Sequence, residues 1–175
     1  MKSSIIQKDY DELGPDFYVK YNLIKTREDK KQNDLFFNCG LLEYIARKTH
    51  NHPSVIVKSL GKDEIERIYE YADVFHCDNI ERVSDDFINE CHITSGTFDN
   101  ISECKYNIPT HWDLGKIYKR LILSVSEESG KDIVRTVIEV FSSGIVDLIE
   151  NYNSSFYYDN PGSIYATYLN GCIPE

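Results

Sequence analysis

Carboxylates are the side chains whose number and spacing first suggest a chemical role in this sequence. Between Asp63 and Glu103 there are twelve of them and only two basic residues, Arg67 and Arg82. The formal net charge of the whole chain is −10. Such a concentration of negative charge favours encounter with a basic protein and disfavours nucleic acid or an anionic membrane as a partner. The alternative interpretation is a solvated helix face whose charge serves only solubility.

The candidate contact residues lie in the first part of this acidic block and combine carboxylates with an aromatic side chain. Tyrosine is common at protein interfaces, because it offers apolar area together with a polar tip. Tyr71 is a further aromatic candidate, whereas Tyr69 also lies on the apolar stripe of a predicted helix and could belong to the core. We predict that the partner-binding residues are Tyr69, Glu70, Asp73, Asp78, Glu81, Asp85 and Asp86.

Histidine and cysteine supply the remaining candidate chemistry, and their spacing matches no motif that is typical of catalysis. Residues 50–52 read His-Asn-His, but the nuclease class of that name uses residues spread over a ββα-metal fold rather than a tripeptide. His76-Cys77 and Cys91-His92 could in principle supply four zinc ligands. Adjacent residues on a helix point about 100° apart, however, and zinc fingers use a different spacing. We therefore predict no catalytic residue, no metal site and no cofactor.

The five cysteines bear on the compartment in which the protein works. Their number is odd and their spacings are wide, which favours reduced thiols over a disulfide framework. The first residues, MKSSIIQKDYDE, lack the apolar segment of a signal peptide. The longest apolar runs are about five residues, far below the roughly twenty that cross a bilayer. We expect a cytoplasmic protein.

Two amphipathic helices joined at a glycine are the clearest elements that could position these residues. They are predicted over residues 110–127 and 130–150, on the basis of apolar residues at helical spacing. Thr110 followed by Asp113 is typical of a helix start, because the threonine can cap an exposed N–H and the carboxylate suits the positive helix end. Gly130 is typical of a helix end. The short connection predicts that the two helices lie antiparallel as neighbours.

The second of these helices carries its own start signal and a possible kink. Ser129 and Asp132 repeat the capping spacing, and Ser142, Ser143 and Gly144 interrupt the apolar stripe. The segment is rich in β-branched residues, but it is longer than the roughly ten residues of most strands. The residues that we expect to be buried in the pair are Leu114, Tyr118, Leu121, Ile122, Val137, Phe141 and Ile145.

The rest of the chain is predicted to add shorter helices and two extended segments. Residues 93–108 are rich in turn-forming residues and read as a loop. The further predicted helices cover residues 35–50 with Asp34 as the cap, residues 62–77, residues 84–91 and a final turn from Pro161 to Gly171. The extended segments are residues 17–24, as a short strand or an arm, and residues 54–60, as a short strand or a connection. Residues 23–34 collect charges of both signs and are predicted to form an exposed loop.

These elements predict a mainly α fold. We expect a compact single-domain helical bundle over residues 1–175, built around the central antiparallel helix pair. Residues 1–34 are expected to form a less ordered arm and loop, with a short strand as the alternative to the arm. No internal repeat and no linker divides the chain.

The stretch IPTHWDLGKIYKRLI, residues Ile108–Ile122, and the later segment Ser155–Pro161 resemble one group of immunity proteins from bacterial contact-dependent growth inhibition systems, the CdiI type. The resemblance covers about the C-terminal third of the chain. It implies a cytoplasmic, non-enzymatic protein that binds the C-terminal domain of one cognate toxin and blocks it sterically. Many of those toxins are basic nucleases. No toxin-contacting residue carries over, because immunity sequences diverge with their toxins.

Two other classes of function remain open at this point. A small helical adaptor or regulatory binding protein would use the same acidic surface without a toxin. A metal-dependent hydrolase is the less favoured alternative, because the acidity of the chain opposes a nucleic-acid substrate unless a metal intervenes.

Overall fold

The computed structural model describes the backbone of residues 14–171 and the side chains of residues 29–171. This part of the chain is mainly helical, as predicted, and it contains no strand. Contacts divide the chain into two units, residues 1–33 and 34–175, and the single-domain organisation remains a prediction. The helices are α1 (Gly14–Lys48), α2 (Pro53–Glu70), α3 (Ala72–Phe75), α4 (Ile80–Glu90), α5 (His111–Ser129), α6 (Ile133–Phe141), α7 (Ile145–Ile149) and α8 (Pro161–Leu169), with a 3-10 turn at Phe156–Tyr158.

The predicted start and end of α5 are confirmed. The side chain of Thr110 accepts a hydrogen bond from the backbone N–H of Asp113 at 3.1 Å, and the Asp113 carboxylate accepts one from the backbone N–H of Thr110 at 2.8 Å. Each residue thereby satisfies a donor at the helix start. Gly130 follows the helix in the left-handed conformation with φ 66°. The seven residues expected to be buried are all buried: Leu114, Tyr118, Leu121, Ile122, Val137, Phe141 and Ile145.

The second helix of the predicted pair, over residues 130–150, is divided into two helices, α6 and α7. α6 packs against α5, and the rings of Tyr118 and Phe141 stack at 4.2 Å. The chain then breaks at residues 142–144, where a kink was predicted, before α7 begins. Asp132 caps α6 by accepting from the N–H of Arg135 at 3.0 Å. Ser129 belongs to the last turn of α5 instead, so the prediction that the second helix begins at residue 130 is wrong.

Helix α1 corrects three predictions near the N-terminus. The predicted strand or arm at residues 17–24 and the predicted loop at residues 23–34 both lie within this helix. Asp34 is a buried residue in the helix and does not cap its start. No proline or glycine occurs between Pro15 and Gly40, so nothing in that stretch interrupts a helix, and its long charged side chains are good helix formers.

Helix α2 corrects the predicted extended segment at residues 54–60. Pro53 opens the helix, where its missing N–H is harmless, and the ring of His52 accepts from the N–H of Ser54 at 3.3 Å. The run of β-branched residues after Pro53 resembled a strand, but its buried members Ile56, Val57 and Leu60 follow helical spacing.

The predicted helix over residues 62–77 is also divided. Gly61 has φ 73° and ψ 176°, outside the helical region, so it kinks α2 where that helix was expected to begin. The chain leaves the helical conformation again at Tyr71, between α2 and α3. The helix predicted over residues 84–91 begins earlier, at Ile80, and the predicted loop at residues 93–108 is confirmed.

The C-terminal half of α1 approaches α5 closely at two glycines. A Cβ atom placed on Gly115 would lie 2.9 Å from the backbone nitrogen of Gly40. A Cβ atom on Gly40 would overlap the ring of Trp112. The Trp112 ring also packs against the rings of Phe36 and Phe37, at centroid distances of 5.4 and 6.2 Å. The tryptophan of the segment that carries the family resemblance is therefore a packing residue.

Candidate functional site

The predicted carboxylates lie on consecutive elements and point outward. Six of them are exposed, and we call them the acidic surface: Glu70, Asp73, Asp78, Glu81, Asp85 and Asp86. Glu70 ends α2, and the next two residues lie in α3 and in the turn that follows it. The last three lie on α4. Whether this surface binds a partner stays a prediction.

The amphipathic sequence of α4 explains why its carboxylates face outward. Val83 and Phe87 are buried on one side of the helix. The ring of Phe87 meets that of Phe75, from α3, edge to face at 5.4 Å. The side chain of Asn79 caps the helix by accepting from the N–H of Glu81 at 2.8 Å. Packing of the apolar side against α3 leaves the charged side on the surface.

Only part of this negative charge is compensated locally. The Lys48 ammonium lies 2.7 Å from a carboxylate oxygen of Asp85, and the Arg82 guanidinium lies 3.8 Å from Asp78. Exposed pairs of this kind contribute about 0–1 kcal/mol to stability. Within the described residues, no basic side chain forms an ion pair with Glu70, Glu81 or Asp86.

Arg67 lies beside the acidic surface and forms ion pairs with carboxylates outside it. Its guanidinium lies 2.8 Å from Glu64 and 2.9 Å from Glu90. It also sits 4.9 Å from the centroid of the Phe87 ring. The hydrogen bond that Arg67 donates to the Glu90 carboxylate raises the pKa of Arg67 above its ordinary value. The ion pairs of Arg67 connect the end of α4 to α2. The partners of Arg67 in these pairs are not carboxylates of the acidic surface.

The aromatic candidates of the block divide between the interior and the surface. Tyr69 is half-buried and packs against the hydrophobic core. Tyr71 is 55% exposed, and Val74 close by in sequence is 62% exposed. Exposed aromatic and aliphatic side chains among charges are the arrangement expected of an interface anchor. Tyr71 is therefore better placed than Tyr69 to contact a partner.

Two further carboxyl groups, which the sequence analysis did not single out, lie inside the protein. Glu43 on α1 has no exposed surface, and Glu150 at the end of α7 is 4% exposed. The Glu150 carboxylate accepts three side-chain hydrogen bonds, from the hydroxyls of Tyr118 and Tyr152 at 2.9 and 2.8 Å and from the amide of Asn100 at 3.0 Å. Three side-chain donors therefore converge on this one buried carboxyl group.

Glu43 is influenced by the charge of Glu150. Both oxygens of Glu43 are buried, and neither has a hydrogen-bond partner among the described residues. Burial, followed by the charge of Glu150, holds the pKa of Glu43 well above its usual range. The raised pKa favours the protonated, uncharged form of Glu43 at neutral pH.

Arg47 supplies the positive charge that balances this pair. Its guanidinium donates to the hydroxyl of Tyr152 at 2.9 Å and lies 5.5 Å from the centroid of the same ring. The cation also lowers the pKa of Glu43, although less than burial and Glu150 raise it. Burial and then the Glu150 charge raise the pKa of Tyr118, which stays a neutral donor. We call Glu43, Arg47, Tyr118, Glu150 and Tyr152 the buried cluster.

The sequence carries a weak signal for the buried carboxyl pair. Glu43 stands in the run LLEYI, and Glu150 ends the run VDLIE. A single carboxylate between apolar residues on a predicted helix is a pattern that could have marked Glu43, whereas Glu150 stands between Ile149 and Asn151 and lacks it. Nothing in the sequence brings the two together, because they lie on separate helices and meet only through tertiary packing.

The histidines and cysteines considered as metal ligands or catalytic residues lie at helix ends and on the surface. His50 leaves α1 with φ 52°, and His52 caps α2. His76, Cys77 and His92 are exposed and Cys91 is half-buried. In the part of the chain that the structure describes, no three metal-binding side chains come together. The described cysteines, all free thiols, are Cys39, Cys77, Cys91 and Cys104.

Comparison with known proteins adds no assignment to this geometry. The chain matches no protein-family model, no curated protein and no solved structure. Among the described helices, none combines the length and the apolar character that a membrane crossing requires. The functional argument therefore depends on the residues of the acidic surface and of the buried cluster.

Proposed function

We propose that this protein is an immunity protein, which binds and neutralises the C-terminal domain of a cognate contact-dependent growth inhibition toxin. The observation that carries the proposal is the exposure of all six predicted carboxylates on the consecutive elements α2 to α4. The resemblance of residues Ile108–Ile122 to such immunity proteins supports the same conclusion. The protein acts in the cytoplasm, without enzymatic activity or a cofactor.

The chemistry of the acidic surface favours a basic partner. A nuclease domain binds nucleic acid through lysine and arginine side chains, so it presents the positive charge that these carboxylates complement. A bound acidic protein would occupy the place of the nucleic-acid backbone and block its access. Tyr71 and Val74 offer the apolar contact that a purely charged interface lacks. Neither nucleic acid nor membrane is expected to bind.

The first test is a protection assay in cells that express the toxin domain encoded next to this protein. The unmodified protein should restore growth. Replacing Asp85 and Asp86 together by lysine should slow association with the purified toxin domain by about tenfold or more at low salt, because steering charge is reversed. The fitting measurement is stopped-flow association at two ionic strengths, since the difference should shrink as salt screens the charges.

A matched control has the same charge change elsewhere. Glu127 and Glu128 are exposed in the last turn of α5, outside the acidic surface. Lysine at both positions should alter association far less than lysine at Asp85 and Asp86. An equal effect of the two double variants would show that only overall charge matters and would move the interface elsewhere. Failure of the unmodified protein to protect would refute the immunity function and leave the adaptor alternative.

A further inference from the structure

A cavity of about 310 Å³ lies between α5 and the start of α8, and no residue of the acidic surface lines it. α5 contributes Asp113, Ile117 and Arg120 to one wall. These residues stand at helical positions i, i+4 and i+7, which share one face of the helix. The volume is at the lower end of the roughly 300–1,000 Å³ of pockets that bind small molecules.

The opposite wall comes from the 3-10 turn and from the first residues of α8, which packs against α5. The chain leaves the turn in an extended conformation at Asp159, with ψ 156°. The side chain of Asn160 then caps α8 by accepting from the N–H of Ser163 at 3.0 Å. The rings of Tyr157 and Tyr158 complete this wall, with their centroids 4.2 Å apart. The tight turn thus places Asp159 at the cavity, across from α5.

Three charged side chains line the cavity, Asp113, Arg120 and Asp159, and all three are exposed, so a ligand can reach them. Asp113 is already engaged, because its Oδ2 accepts from the N–H and the hydroxyl of Thr110 at 2.8 and 2.7 Å. These hydrogen bonds hold the pKa of Asp113 below its ordinary value. The positive end of α5 offsets its negative charge. One cation and one anion remain for an occupant.

Arg120 and Asp159 do not form an ion pair with each other, although both line the same cavity. Among the described residues, no opposite charge lies within 4.0 Å of either group. A cationic ligand would pair with Asp159 alone, and an anionic one with Arg120 alone. A ligand that carries both charges pairs with each group and leaves the charge of the site unchanged.

The rest of the lining is apolar. Leu121, Tyr157 and Ile164 are buried side chains at the cavity, and Ile117 is half-buried. Burial of apolar ligand surface against such walls is favourable. A free α-amino acid with an apolar side chain has the required combination, because at neutral pH it carries an ammonium and a carboxylate on one carbon.

We propose that the cavity between α5 and the start of α8 binds a free α-amino acid with an apolar side chain. The ligand carboxylate pairs with Arg120. The ligand ammonium pairs with Asp159 and lies near the ring of Tyr158, which attracts cations. The apolar side chain packs against Ile117 and Leu121. The site shares no residue with the acidic surface and acts independently of toxin binding.

Four probes test the proposal on the full chain. L-Phenylalanine carries both charges and an apolar group, whereas 2-phenylethylamine lacks the carboxylate, 3-phenylpropanoate lacks the ammonium and glycine lacks the apolar side chain. Binding is followed by NMR chemical shifts of the methyl groups of Ile117, Leu121 and Ile164. L-Phenylalanine should bind with a dissociation constant of about 1 mM, as fits its few atoms. The other three probes should bind about tenfold more weakly or worse, since each loses one contact.

Two variants remove the charged contacts one at a time. Arg120→Met should reduce L-phenylalanine binding to the affinity that 2-phenylethylamine has for the unmodified protein. Asp159→Asn should reduce it to the affinity of 3-phenylpropanoate. Both residues are exposed, so the fold should tolerate these changes.

Matched controls make the same charge changes away from the cavity. Lys116→Met and Glu127→Gln alter exposed residues of α5 that do not line it. Both should bind L-phenylalanine like the unmodified protein.

Several results would overturn the proposal. The first is the absence of saturable shifts with L-phenylalanine, and the second is a singly charged probe that binds as tightly. The third is unchanged L-phenylalanine binding in Arg120→Met or Asp159→Asn, or an equal loss in their controls. Toxin protection is measured separately with substitutions on the acidic surface, so failure of that function is distinguishable from failure of this one.

Discussion

Carboxyl groups occupy two opposite environments in this protein. Those of the acidic surface lie exposed on α3, α4 and the end of α2, and water hydrates them. Those of Glu43 and Glu150 lie buried between helices, where hydroxyl and amide donors replace water for one of them and a proton neutralises the other. The carboxyl groups of the acidic surface contribute negative charge to the protein surface, whereas those of the buried cluster take part in interactions inside the protein. Burial, rather than residue type, separates the two roles.

The two regions also differ in what a substitution removes. When an exposed carboxylate is substituted, its former hydrogen-bond partners remain accessible to solvent and can bond to water. A buried one leaves several polar groups without partners, and each of these carries a desolvation penalty. Substitutions that are small on the surface should therefore be large in the buried cluster.

The largest effect is expected when Glu150 is removed. Glu150→Ala leaves the hydroxyls of Tyr118 and Tyr152 and the amide of Asn100 without their acceptor, and Arg47 without its counter-charge. We expect a loss of about 3–5 kcal/mol in the free energy of unfolding. Urea unfolding measures it.

Asp86→Ala on the acidic surface is the matched control for this loss. Asp86 is exposed and forms no ion pair with a described residue, so its removal should change the free energy of unfolding by less than about 0.5 kcal/mol. Similar losses in the two variants would erase the distinction between the buried and exposed regions.

The next effect concerns the proton of Glu43. Its pKa is raised above the ordinary value of 4.5, so the folded protein binds more protons than the unfolded chain above that pH. The free energy of unfolding must then fall as pH rises from about 4.5 toward the raised pKa, with a slope of at most about 1.4 kcal/mol per pH unit. Glutamine cannot lose a proton, so Glu43→Gln removes this fall.

Unfolding measured at pH 5 and pH 8 tests this difference. Relative to the unmodified protein, Glu43→Gln should gain about 1–3 kcal/mol between these two values. Asp86→Asn should show no comparable gain, because its carboxylate is exposed. A pH profile of Glu43→Gln parallel to that of the unmodified protein would mean that the carboxyl pair holds no extra proton.

A small effect on stability is expected at Lys48, which faces the acidic surface. Its pair with Asp85 is partly exposed, so Lys48→Met should change the free energy of unfolding by less than about 1 kcal/mol. The surface becomes more negative, and association with the basic toxin domain should become faster at low salt.

Lys116→Met on the exposed side of α5 removes the same charge away from this surface. Its effect on association should be smaller than that of Lys48→Met. Equal acceleration by the two variants would argue against local steering by the acidic surface.

Local signals explain which helices could be predicted from the sequence. α5 has a capping pair at its start and a glycine after its end, and its boundaries followed from these residues. α1 lacks such signals in its interior, and the charged stretch before Asp34 looked like a loop that ended in a cap. β-branched residues after Pro53 likewise favoured a strand, although tertiary packing makes them helical.

The candidate sites divide in the same way. Glu70 to Asp86 are close in sequence, so their charge was visible before any fold was known. Their exposure needed only the amphipathic spacing of α4. The buried cluster combines residues of α1 and α5 with Glu150 at the end of α7 and with Tyr152. In the sequence, each ionisable residue of the cluster looks like an ordinary surface residue of its helix. Only the packing of the helices turns Glu43 and Glu150 into a pair.

The contact between Gly40 and Trp112 can be followed by the intrinsic fluorescence of the protein. The chain contains one tryptophan, and its indole lies between the two helices α1 and α5, 4.6 Å from the ring of His111. Intrinsic indole emission therefore reads the separation of these two helices alone, without labelling. Circular dichroism averages over every helix, so together the two signals can distinguish local opening of this contact from loss of the whole fold.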